Sequence, residues 1–366
     1  QETDERYNDL KAAQVKTVSF ITYLLRGSPG LVEPHQEAIS SAIVTLLQTC
    51  PDVVSTRKEL LVATRHVLGS PAFCKGFFPH LDLMMDDTVL VGEGRQCIEN
   101  LRPLAYSFLA ELVHHMKAEL TLPQIRRAIY IFSRNMQDNT LPLSTHMTCA
   151  RLMHHLVESI FRMRANSTQS EEVRAFLVRI LYATVAKFRT LRASIPELVE
   201  TANDLEKAIK AKAAKANREE KPSEPKSAVV TEKSDVEMKD AEDKKDEPVE
   251  EDVPLPSHER LKSLSDSKAI IKTLTIGMKT LLWSITNFNG TTDASKLALS
   301  QYELKNAAGF IRSGVKCMQL FKGTESSEMC THFSEALMVL EPRNFIDIVS
   351  LHFDNLFAGM LELPTR

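Results

Sequence analysis

Apolar residues recur at three- and four-residue spacing along most of this chain. That period confines it to helices that each bury one face. Ile98, Leu101, Ala105, Phe108, Leu112 and Met116 form one stripe. Val173, Phe176, Leu177, Ile180, Leu181, Thr184 and Phe188 form a second, and Ile271, Leu274, Met278, Leu281 and Ile285 a third. A looser stripe, Leu10, Ala13, Val18, Ile21 and Leu25, opens the chain. Only 12 of the 366 residues are glycine, and β-branched alternation is rare, which argues against a β-rich fold.

Start and stop signals agree with the period. Thr56-x-x-Glu59, Thr121-x-x-Gln124, Ser194-x-x-Glu197 and Ser300-x-x-Glu303 have capping-box form, in which a hydroxyl and an acid or amide satisfy orphan amides of the first turn. Breaks fall at Gly27-Ser28-Pro29-Gly30, Gly69-Ser70-Pro71, Gly92-Glu93-Gly94, Leu141-Pro142 and Glu341-Pro342. Helices are predicted near 5–25, 34–49, 57–68, 72–85, 97–118, 123–136, 144–163, 171–192 and 196–216. Four more are predicted near 266–287, 298–322, 327–340 and 343–362. Two such helices with their turns make a unit of about 40 residues, the size of a HEAT or armadillo repeat. The fold expected is an all-α, HEAT-like solenoid of antiparallel helix pairs, with a compact helical bundle as the second choice.

One segment departs from the pattern. Glu219–Asp252 holds 14 acidic and 6 basic residues and three prolines, and no aromatic residue occurs between Arg189 and Leu282. Such a stretch buries too little apolar surface to offset the entropy of ordering it. The expected organisation is therefore helical repeats over 1–216, a disordered charged linker over 217–258, and repeats continuing over 259–366. Just ahead of the linker, Lys207, Lys210, Lys212, Lys215 and Arg218 read as a solvated helix end, with a localisation signal or a weak nucleic-acid contact as the alternative.

The formal net charge of -3 supplies no general attraction to nucleic acid or to an anionic membrane. No apolar run approaches the roughly 18–20 residues that a membrane span needs. No basic-apolar signal peptide is visible, and the start at Gln1 inside a helical pattern suggests a piece of something longer. Six cysteines, Cys50, Cys74, Cys97, Cys149, Cys317 and Cys330, form no CxxC pair and read as reduced, buried thiols in an intracellular compartment. His114-His115 and His154-His155 are adjacent, so each pair diverges by about 100° and cannot grip one metal. Gly92-x-Gly94 reads as a turn between helices, Asp86-Asp87 as a solvated helix end, and Met84, Met85, Met136, Met147, Met153 and Met163 as core. No GxSxG, P-loop or kinase signature occurs. No catalytic, cofactor-binding or metal-ligating residue is assigned, and no cofactor is expected.

Three stretches carry a family resemblance. They are Arg57-Lys58-Glu59-Leu60-Leu61-Val62-Ala63 leading to His66-Val67-Leu68, Leu101-Arg102-Pro103-Leu104-Ala105-Tyr106-Ser107 running to Leu112-Val113-His114-His115, and Ile271-Lys272-Thr273-Leu274 with Lys279-Thr280, Trp283 and His332-Phe333. Together, and in this order, they resemble the transformation/transcription domain-associated protein family, the pseudokinase scaffold of the phosphatidylinositol-3-kinase-related kinases. The resemblance covers most of the chain and places it in the long HEAT-repeat region. The low-complexity insert falls at the same place, though it is charged here and proline-rich in vertebrate members. The resemblance implies a nuclear, non-enzymatic scaffold shared by SAGA and by the complex that acetylates nucleosomal histone H4. Its implied partners are transcription activators, complex subunits and adjacent repeats of the parent chain, with no membrane and no sequence-specific nucleic acid. Arg126-Arg127 and Arg162-Arg164 are the candidate cations for an activator's acids. A free-standing transport or adaptor solenoid that binds protein cargo is the alternative expectation, and a helical enzyme the third.

Overall fold

The computed structural model describes residues 2–165, 170–219, 256–289, 299–340, 344–348 and 350, and among these it is all-α with no strand. In chain order the helices are α1 (Glu2–Gly27), α2 (Pro29–Val32), α3 (Gln36–Thr49), α4 (Val54–Leu68), α5 (Pro71–Phe77), α6 (Leu81–Met84) and α7 (Asp87–Leu90). Then come α8 (Arg95–Met116), α9 (Leu122–Gln137), α10 (Leu143–Met163), α11 (Ser170–Glu219), α12 (His258–Thr286), α13 (Gln301–Met318) and α14 (Gly323–Met338). The expected linker lies, over 220–255, outside the described residues, as does most of the last expected helix, of which 344–348 is helical. The chain divides into two compact units, 1–195 with 266–366, and 196–265. In the second unit residues 196–219 and 258–265 are helical, with Leu198, Thr201, Ala208 and Leu264 buried.

The first unit is a HEAT-like solenoid of antiparallel helix pairs. Consecutive helices such as α9 and α10 turn back on one another, while helices one repeat apart run side by side. Paired residues fix this second relation. Ser19 meets Glu59 and Arg26 meets His66 between α1 and α4, both at a separation of 40 residues. His114 meets His155 between α8 and α10 at 41, and Arg126 meets Glu172 and Gln137 meets Ala183 between α9 and α11, both at 46. A constant offset along a pair means parallel helices in one register. The repeat inferred from helix lengths is thus the observed stacking distance along the chain. The α8, α11 and α12 stripes form the core: Leu101, Ala105, Phe108, Leu112, Val173, Leu177, Ile180, Phe188, Ile271, Leu274, Met278 and Leu281 are all buried.

Several expected details change. In α1 the buried face is Val15, Val18, Thr22 and Leu25, while Leu10 is 56% exposed, because apolar residues lie around most of this helix and only one side meets α4. In α8, Ile98 likewise faces outward. The helix expected over 72–85 is broken at a 3₁₀ turn, Phe78–His80, because Pro79 lacks an amide proton and its ring collides with the preceding turn. Thr56 is not a cap: α4 starts at Val54, and the Glu59 carboxylate accepts a hydrogen bond from Ser19 instead. No break occurs at Ser194–Glu197. The helix Ser170–Glu219 continues with Pro196 inside it, flanked by the buried Ile195 and Leu198. The boxes at Thr121–Gln124 and Ser300–Glu303 form as expected.

Buried charge pins the repeats. Arg57, 5% exposed, donates to the carbonyls of Leu47, Cys50 and Val89 and pairs with Asp52 at 3.0 Å. Asp52 accepts from the Gly94 amide at 2.7 Å and the Glu93 amide at 3.2 Å, so one ion pair ties α3, α4 and the entry to α8. Gly92 takes φ +101° beside it, and a Cβ there would lie 2.3 Å from Asp52 Oδ1. Glu303 closes the α13 capping box through the Ser300 amide and also takes a two-pronged contact from Arg174 of α11. Lys187, 1% exposed, donates to His146 Nδ1 at 2.9 Å, and His146 Nε2 donates to the Asp138 carbonyl at 2.8 Å. Burial pulls the Lys187 ammonium down from 10.5 to about 8. His154 lies beneath α12, where a Cβ on Gly277 would sit 1.9 Å from its Nδ1, and burial lowers it to about 4. Cys149 and Cys317 are pushed up to about 12 by burial, which keeps both thiols protonated.

Two outcomes follow from these pins. Arg57→Ala strands a carboxylate and three carbonyls and is expected to cost about 3 kcal/mol. Gly92→Ala is expected to cost about 1–3 kcal/mol, against less than about 0.5 kcal/mol for the exposed control Leu10→Ser, all read from urea midpoints. For pH, both depressed groups are neutral-preferring in the fold. The His154 contribution is complete above about 6.5 and is lost as pH falls toward 4, so acid destabilises. The Lys187 contribution is complete above about 10.5 and is lost as pH falls toward 8, a difference of about 3 kcal/mol. Urea unfolding across pH should show both rises, and Lys187→Met should flatten the upper one alone.

Candidate interaction surface

Helices stacked side by side leave grooves between neighbours, and three grooves of the first unit carry charged and aromatic residues. The first, about 570 Å³, is lined by Asp87, Ile98, Arg102, Tyr106, Arg134 and Asp138. Four of its charges pair internally: Arg134 donates to Asp87 at 2.7 Å, Arg102 pairs with Asp138, and the Tyr106 hydroxyl donates to Asp87 at 3.1 Å. Burial alone raises the Asp138 carboxyl, but the Thr140 hydroxyl and the Arg102 guanidinium outweigh it and hold it at about 2. Asp87 is therefore more than a solvated helix end. Asp86 is the one that caps, accepting from the Thr88 amide at 2.9 Å at the start of α7.

The second groove, about 640 Å³, runs between the parallel helices α9 and α11. Its floor is Ile129 and Phe176, both buried, and its rim carries Arg126, Arg127, Arg179 and the 54% exposed Tyr130. Arg126 pairs with Glu172. Among the described residues neither Arg127 nor Arg179 forms an ion pair, although Arg127 acts on the Asp86 carboxyl from a distance. The rim continues along α11, where Tyr182 stacks on Tyr302 of α13 with ring centroids 6.4 Å apart.

The third groove, about 540 Å³, lies between α10 and α12 and is lined by Met147, Arg151, His154, His155, Lys272 and Gly277. Lys272 donates to Glu328 at 2.6 Å. At its edge the two histidine doublets meet: His155 Nδ1 is 3.1 Å from His114 Nδ1, with ring centroids 4.7 Å apart. Burial first, then Lys117 and the neighbouring histidines, lowers both imidazoles. Adjacent histidines do diverge, as expected, but the pairing across doublets was missed. Its signal was present in the 41-residue separation, one repeat length.

The remaining candidates separate clearly. Arg162 pairs with Glu158 in its own helix. Arg164 lies 3.4 Å from the centroid of the Phe161 ring and donates to the Phe161 carbonyl at 2.8 Å, closing α10, while Phe161 packs on Trp283. Neither arginine shares a groove with Arg126-Arg127. Gly92-x-Gly94 is a turn, with Gly94 preceding α8. Met84, Met85, Met136 and Met153 are buried, whereas Met147 and Met163 are half-buried. Cys50, Cys74, Cys97, Cys149 and Cys317 are buried, and Cys330 is half-buried. Among the described residues no group of three or more His, Cys, Asp or Glu could hold a metal, and no helix is long and apolar enough to cross a membrane.

Known proteins are similar to this chain. Probable transcription-associated protein 1 of Dictyostelium discoideum is 27% identical over 98% of this chain and 8% of its own length. Transformation/transcription domain-associated protein of Homo sapiens is 38% identical over 51% of this chain and 5% of its own length. SAGA complex/NuA4 acetyltransferase complex subunit TRA1 of Saccharomyces cerevisiae is 36% identical over 50% of this chain and 5% of its own length. The chain thus spans less than a tenth of the length of the curated relatives it matches. The family described as Tra1 HEAT repeat central region matches residues 6–365, and the chain belongs to that family.

Proposed function

We propose that this chain is a non-catalytic scaffold segment of a nuclear transcription coactivator. Its solenoid surface would be offered to subunits of SAGA-type and histone H4 acetyltransferase complexes and to transcription activators. The observation that supports this most is the family match over residues 6–365, together with relatives whose names make them subunits of SAGA and NuA4 acetyltransferase complexes. The structure is compatible with that role for a physical reason. Repeats stacked in one register turn a series of short helices into an extended surface whose grooves differ in charge, and such a surface recognises partners without chemistry of its own. In the first groove the polar groups pair with one another: Arg134 pairs with Asp87 and Arg102 with Asp138.

The test is purification of the tagged endogenous protein from nuclear extract. Acetyltransferase subunits and histone acetyltransferase activity should co-purify with it. A protein that comes out free of both would refute the coactivator reading and favour a free-standing adaptor.

A further inference from the structure

The α9–α11 groove differs from the other two in one respect. The first groove sets Asp87, Glu93 and Asp138 against Arg102 and Arg134, and in the third Lys272 is paired with Glu328 beside Arg151, whereas this groove carries three arginines against a single glutamate. The excess sits above an apolar floor, Ile129 and Phe176, with an exposed phenol, Tyr130, at the rim. A cationic rim around a hydrophobic slot is the complement of one particular ligand shape, an amphipathic helix with acids beside its apolar stripe.

The register of the two helices sharpens this. Arg126 lies beside Glu172 and Gln137 beside Ala183, both at a separation of 46 residues, so Arg179 is level with Ser133. Arg127 and Arg179 therefore stand on opposite walls, displaced along the groove by about 9 Å at 1.5 Å per residue. Carboxylates two turns apart on a bound helix span about 10.5 Å and match that displacement. Between them an aromatic or leucine anchor would rest on Phe176 and against the Tyr130 ring. Both arginines are exposed and neither is needed to hold α9 against α11, since Arg126–Glu172 and Gln137–Ala183 already do so.

We propose that the groove between α9 and α11 is a docking site for an acidic amphipathic helix of a partner protein. Arg127 and Arg179 would take its carboxylates, and Ile129, Phe176 and Tyr130 its apolar anchor. This rests on the scaffold reading above and gives it one address. The exposed Tyr182–Tyr302 stack, three residues beyond Arg179 on α11, extends the same wall and suits a helix longer than the groove itself.

The test is fluorescence anisotropy with a fluorescein-labelled 20-residue peptide that carries Leu or Phe at i, i+3, i+4 and i+7 and Asp or Glu at the flanking positions. Binding should weaken as salt rises. Arg127→Glu with Arg179→Glu should weaken binding by about tenfold or more, and a peptide with Lys in place of its acids should bind the double variant better than the parent. Tyr130→Ala should weaken binding severalfold. Arg162→Glu should leave it unchanged. An unaltered melting temperature of the double variant excludes misfolding as the cause. A change under about twofold on double reversal overturns the proposal, and so does equal loss in Arg162→Glu. Preferential binding of a single-stranded oligonucleotide to the same residues also overturns it and marks a nucleic-acid groove instead. Co-purification with acetyltransferase subunits is read separately on the double variant. Lost peptide binding with retained co-purification upholds the groove. Retained co-purification with unchanged peptide binding overturns the groove and leaves the scaffold reading standing.

Discussion

Each helix here is too narrow to bury its own apolar stripe, and the fold depends on every stripe being covered by neighbours one repeat away. The stacking satisfies this by holding like-directed helices at nearly constant sequence offsets: 40 between α1 and α4, 41 between α8 and α10, and 46 between α9 and α11. Hydrophobic burial alone does not choose among offsets, because an apolar stripe slides along another at little cost. Directional contacts choose. Arg57 reaches three carbonyls on two sides, Glu303 joins a helix cap to Arg174, and the α12 backbone crosses His154 at a point where only glycine fits. Such buried polar groups add little net stability when they are satisfied and cost much when one partner is removed. Their effect is to make one register far better than the rest.

The same geometry generates the surface. A groove arises wherever two stacked helices diverge, and its character depends on which side chains the register brings to its walls. Between α8 and α9 acids and arginines meet and cancel. Between α9 and α11 arginines accumulate. No residue in either groove is unusual in sequence. The difference lies in which partners a shift of about 46 residues places opposite.

What a sequence displays well is local. The α11 and α12 stripes, the Thr121 and Ser300 capping boxes and, among the described residues, the absence of strands are all consequences of neighbours within one or two turns, and all appear in the structure. What it displays poorly is long-range choice. Glu303 was visible as a capping residue, but its partner Arg174 lies 129 residues away. Leu10 satisfied the helical period yet faces outward, because the period of a nearly all-round apolar helix has no defined phase. Pro196 carried the usual sign of a helix start, and the chain runs helical through it. Of the candidate surface, Arg126 and Arg127 were legible as a cationic pair. Arg179 and Tyr130 were not, because nothing local says that they share a groove with them.

The outer edges of α12 and α14 carry three lysine–glutamate pairs in succession, Lys268 with Glu325 at 2.7 Å, Lys272 with Glu328 at 2.6 Å and Lys279 with Glu335 at 3.4 Å. Exposed pairs of this kind add at most about 1 kcal/mol each. Their spacing nonetheless works like the teeth of a zip. In a protein made of many look-alike helical hairpins, the chief hazard during folding is closure onto the wrong neighbour. A hairpin without acids at matching intervals could bury the same grease against α12, but it would leave a row of ammonium groups facing nothing.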